Sequence, residues 1–131
     1  MLSASNDDPS AEMVWNLLAE VSIPWSEWMP WNAVPWYTGG ENSSVDKEDG
    51  LRTLRPLTAL LPRLEIVMTF GGLATASWGA VTKHTPALRR FQHIATLHPS
   101  VRGLTRGGRQ QMAIGLAQLP KDFMHVRSML R

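Results

Sequence analysis

The chain of 131 residues contains no cysteine, which excludes disulfides, thiolate zinc sites, cysteine-held iron–sulfur clusters and a cysteine nucleophile together. It also lacks any apolar run near the roughly 18–20 residues that a membrane-spanning helix needs, so no membrane partner is expected. The opening stretch, with Asn6, Asp7, Asp8 and Pro9, has neither the basic start nor the apolar core of a signal peptide, and a cytoplasmic protein is expected. Acids are nearly missing from the second part. Residues 51–131 hold only Glu65 and Asp122 against twelve bases, a net of +10, whereas residues 1–50 carry nine acids against Lys47 alone, a net of −8. Such polarity suits a polyanion facing the second part, nucleic acid foremost; attraction between the two halves across the fold is the plainer reading. What is present in quantity is ordinary: 44% hydrophobic residues, enough for one globular domain over residues 1–131.

Along the chain, helical and strand patterns alternate. Asp8-Pro9 is a helix start, an acceptor at the cap and a proline where no amide donor is missed, and Val14, Leu17, Leu18 and Val21 mark one face of a helix over 10–21. Pro24 blocks its continuation. A short strand is expected around residues 31–34, bounded by Pro30 and Pro35, and the stretch 38–45 has turn composition. A second helix over 46–61 carries Leu51, Leu54, Leu57, Leu60 and Leu61 as its apolar stripe, with Pro56 either kinking it or moving its start to near Arg55. Residues 64–70 are the clearest strand, ended by Gly71-Gly72; a helix follows over 73–81, then a loop over 85–90. A strand over 93–97 stops at His98-Pro99-Ser100, and after the loop 101–108 a last helix runs to about Leu119. This alternation predicts a parallel sheet covered by helices, with ligands beyond the carboxyl ends of the strands. Asn32, Gly71-Gly72 and His98 are therefore expected on one edge.

The residues that carry chemistry lie at those ends. Pro99 pins His98, which is placed to donate to a developing oxyanion or to act in acid–base steps; a His-Pro turn with solvated arginines is the structural alternative. Ser100, Arg102, Arg106 and Arg109 surround the start of the last helix, an anion-favouring position. Asn32, in the aromatic run Trp31 to Tyr37, is either a satisfied core amide or a reader of a ligand edge; its donor and acceptor suit the O4 and N3–H of uracil. Trp36 or Tyr37 is available to stack on a base, and Trp15 and Trp78 read as core. His84, His93 and His125 show no metal-ligand spacing, and neither metal nor cofactor is expected.

Four blocks in order, residues 6–11 (Asn-Asp-Asp-Pro-Ser-Ala), 31–37 (Trp-Asn-Ala-Val-Pro-Trp-Tyr), the strand 64–70 with Gly71, and His98-Pro99-Ser100, resemble the uracil-DNA glycosylase superfamily over about residues 5–119, closest to its small bacterial members. The resemblance implies a three-layer α/β/α sandwich with a small, mostly parallel sheet, and a pocket that takes a base flipped from single- or double-stranded DNA. It implies that Asn32 reads the uracil edge, that His98 steadies the departing uracilate, and that Ser100, Arg102, Arg106 and Arg109 grip the DNA backbone; a monomeric base-excision repair enzyme is expected, with Trp36 as the residue that stacks on the base. The superfamily's first strand and water-activating motif precede the Asn-Asp-Asp-Pro block by tens of residues, whereas Met1 to Ser5 precede it here. A chain with its first strand and that motif missing is the expectation, and a non-catalytic DNA-binding form of the fold is the alternative.

Overall fold

Ala11, Val14, Leu17 and Leu18 recur at helical spacing, and they form the buried face of α1 (Pro9–Glu20) in the computed structural model, which describes residues 9–32, 44–99 and 108–130. Trp15, expected in the core, is instead 44% exposed. It follows Val14 by one residue and so points about 100° away from the stripe. The helix closes through a paired cap: the Ile23 amide donates to the Leu18 carbonyl at 2.9 Å and the Ser22 amide to Ala19 at 3.2 Å. Ser22 takes φ 58°, a left-handed turn, and Ile23 packs back into the cluster that holds Leu18. Pro24 then opens a one-turn 3-10 helix, Trp25–Glu27.

The remaining elements are α2 (Ser44–Ala59), β1 (Ile66–Phe70), α3 (Gly71–His84), a 3-10 helix at Pro86–Arg90, β2 (Gln92–Thr96) and α4 (Arg109–Met129). Two prolines lie inside helices. Pro56 sits in α2, and Pro120 sits in α4, which runs ten residues past the expected end at Leu119. A proline inside a helix costs about 3 kcal/mol. Continuing α4 buries Phe123 (fully) and Val126 in the main core, worth roughly 1.5–3 kcal/mol each, so packing outweighs the break. In α2 the stripe is shorter than its leucines imply: Leu51 and Leu54 pack inward, but Leu60, past the helix end, is exposed.

β1 and β2 pair in parallel, with Ile66 opposite Gln92 at one end and Phe70 opposite Thr96 at the other. Alternation along the strands splits their side chains between two cores. Ile66, Met68, Phe70 and Ile94 join α1 and α4 residues around Val14, Leu119 and Phe123. Val67 faces the other way, into a cluster of Trp78 and Val81 from α3 with Leu88 and Phe91, closed by Leu51 and Leu54 of α2. Trp78 is core, as expected. The fold is mixed α/β and mostly helical, four α-helices around a two-stranded parallel sheet among the described residues. The strand expected at 31–34 does not extend over Trp31 and Asn32, which carry no regular structure; residues 33 and 34 lie outside the described residues. No described helix is long and apolar enough to cross a membrane.

Candidate functional site at the carboxyl edge of the sheet

Parallel pairing brings the ends of β1 and β2 to one edge, and the residues just beyond them touch. Gly71 leaves β1 at φ +83°, a conformation that L side chains rarely adopt, and a Cβ placed on it lies 3.2 Å from His98 Cβ. The glycine therefore provides the space in which the His98 loop lies against the strand end. Pro99 is fully buried and anchors that loop, while His98 itself remains exposed. Protein around the imidazole disfavours its charged form, so its pKa lies below the ordinary 6.5. At neutral pH His98 thus offers one N–H donor and one acceptor, not a full positive charge.

Trp28 carries the 3-10 segment to the same end. Its ring meets Phe70, the last residue of β1, edge-on at 5.9 Å and stacks on Phe123 of α4 at 6.1 Å. Asn32 follows Trp28 by four residues, a reach of at most about 14 Å, and is half-buried. His98 is held at the end of β1 through Gly71, whereas Asn32 is related to that end only by chain connectivity to Trp28.

Arg109 opens α4 and is exposed. Thr96, the last residue of β2, donates to Asp122 of α4 at 2.6 Å, and Gln118 holds the other carboxylate oxygen at 2.9 Å. Thirteen residues separate Arg109 from Asp122, roughly 20 Å along a helix. Arg109 therefore projects well past the strand ends, away from His98. Trp36, Ser100, Arg102 and Arg106 lie outside the described residues, as does the Asp8 cap.

A polar chain that sequence spacing did not single out lies beside this edge. His93 Nε2 is 2.9 Å from Thr69 Oγ1, which is 2.9 Å from Thr75 Oγ1 in α3, and the imidazole packs against Trp78 at 6.2 Å. Thr69 is buried, so these bonds satisfy its hydroxyl and pin α3 to the sheet. Burial also lowers the His93 pKa. The available signal was the shared strand face of Thr69 and His93, visible only once the register was known. Among the described residues no three His, Asp or Glu side chains gather as a metal site.

Comparison with protein-family models, curated proteins and solved structures finds no match for this chain.

Proposed function

We propose that the chain is a uracil-DNA glycosylase-type hydrolase that acts on uracil flipped out of single- or double-stranded DNA in the cytoplasm, on the α/β/α sandwich plan of that superfamily. The observation that carries this reading is the contact between Gly71 and His98 at the carboxyl edge of the parallel pair. In α/β sheets that edge is where ligands bind. Breaking the C1′–N1 bond leaves the bonding electrons on uracil, a water oxygen bonds C1′ as the new hydroxyl, and the proton that this water loses ends, through solvent, on the uracil anion. A donor aimed at the anion then contributes most, because it strengthens as charge develops. A neutral His98 supplies such a donor. Asn32 supplies a donor and an acceptor for the uracil edge, Trp36 a stacking face, and Ser100, Arg102, Arg106 and Arg109 the phosphate contacts.

The test is release of free uracil from a uracil-containing single strand. Wild-type protein is expected to release it, and His98→Ala to slow release by roughly 100–1,000-fold, the worth of one oxyanion donor, while melting cooperatively. DNA binding by the wild-type chain with no uracil released would instead identify a non-catalytic form of the fold.

A further inference from the structure

The basic half of the chain holds more cations than the carboxyl edge uses, and the fold collects five of them at the opposite edge. The two strands start together there: Ile66 is the register partner of Gln92, and the Gln92 amide donates to the Glu65 carbonyl at 3.1 Å. Arg63 lies in the turn before β1, and Arg89 and Arg90 end the 3-10 helix before β2. Both α3 and α4 run back from the carboxyl edge, so Lys83 and Arg127 in their last turns arrive at the amino edge. A hollow of about 230 Å³ marks the meeting point, lined by Leu64, Glu65, Arg90, Phe91, Gln92 and Met129. Arg63, Arg89 and Arg127 each stand within two residues of that lining.

All five cations are exposed, and among the described residues none forms an ion pair; Arg52 on α2 makes the ion pairs found there. Among the described residues Glu65 is the one acid that lines the hollow, against five cations at the edge. Cations at helix C-termini offset the helix dipole, which accounts for Lys83 and Arg127 but not for Arg63, Arg89 and Arg90. Arg90 is also held in place: its guanidinium lies 4.4 Å over the Phe91 ring and donates to the Ala87 carbonyl at 3.2 Å. A fixed planar guanidinium among unpaired cations is suited to phosphate oxygens.

We infer that the amino edge is a second nucleic-acid surface, which grips the phosphate backbone of DNA without reading bases. The strands alone separate it from the His98 edge by roughly 13 Å. One molecule then holds two DNA segments at once. This surface acts whether or not His98 supports hydrolysis, so uracil release and amino-edge binding succeed or fail separately.

The experiment measures binding of the full chain to a short, uracil-free, labelled duplex by fluorescence anisotropy between about 50 and 200 mM salt. The triple variant Arg63→Gln, Arg89→Gln, Arg127→Gln is compared with Arg52→Gln, Arg55→Gln, Lys121→Gln, which removes the same charge elsewhere. Each lost phosphate contact lowers the salt slope by about 0.9. The amino-edge variant is expected to lose about 2–3 in slope and at least tenfold in affinity at the lower salt while still melting cooperatively, and the control to stay near wild type. Wild-type protein is further expected to bring two differently labelled duplexes into energy-transfer range, and the amino-edge variant not to. Equal slopes for the two variants would overturn the assignment. So would bridging that survives the amino-edge substitutions, or polyglutamate competing with DNA on equal terms, which would indicate an acidic protein as the partner.

Discussion

Gly71→Ala and Gly72→Ala are adjacent substitutions of the same size with opposite expected outcomes. At Gly71 the backbone has φ +83°, which costs an L residue about 1–2 kcal/mol. The added methyl also stands 3.2 Å from His98 Cβ, closer than the roughly 3.5–4.0 Å of an unstrained carbon contact. Relief requires His98 to retreat by a few tenths of an ångström, and buried Pro99 next to it resists that movement. A loss of about 1.5–3 kcal/mol follows. At Gly72 the added methyl meets nothing within 4 Å, and the residue lies in the first turn of α3, where alanine gains about 0.5–1 kcal/mol over glycine. The two variants should differ by about 2–4 kcal/mol in urea-denaturation free energy, and several degrees in Tm, in favour of Gly72→Ala. Uracil release should fall for Gly71→Ala and hold for Gly72→Ala. A Gly71→Ala protein as stable as its neighbour would refute the close approach of strand end and histidine loop on which the site rests.

Phe123→Ala removes a fully buried ring that stacks on Trp28 and packs tilted against Phe70, and chemical denaturation should show a loss of about 3–5 kcal/mol. Ser22→Gly relieves a left-handed residue in the α1 cap and should raise stability by up to about 1 kcal/mol; a melt at or below wild type would contradict that cap geometry. His93 and His98 both have folded pKa values below the unfolded 6.5, so the unfolded chain binds more protons as pH falls. Their contribution is present above about pH 6.5 and is lost as pH drops through the lowered folded values. Denaturation midpoints followed downward from pH 8 should therefore decline below about 6.5, and His93→Gln with His98→Gln should flatten that decline.

The strands were legible because their signal is local. A run such as Leu64 to Phe70, branched and ended by two glycines, reads as β1 within two residues of its observed bounds. His93 to Leu97 reads as β2 with an offset of one. The ends of α2 and α4 were less legible, because propensity counts Pro56 and Pro120 against a helix and cannot weigh the core that Phe123 and Val126 fill. Trp15 misled because a tryptophan's size favours burial, whereas its angular position on α1 decided its exposure. Of the candidate site, His98 and the strand ends were visible in the chain itself. The His93–Thr69–Thr75 connection was not, since it joins three elements.

By itself the order of amino acids determined the cysteine-free chemistry, the segregation of acids from bases, and the alternation of helix and strand. Each of these depends on composition or on neighbours a few residues apart. Tertiary structure alone decided that Gly71 and His98 meet, that Arg109 projects beyond the strand ends, and that Arg63, Lys83, Arg89, Arg90 and Arg127 gather on the far edge. Those facts follow from parallel pairing. It sends every strand start to one side and every strand end to the other, and so brings together residues far apart in the chain.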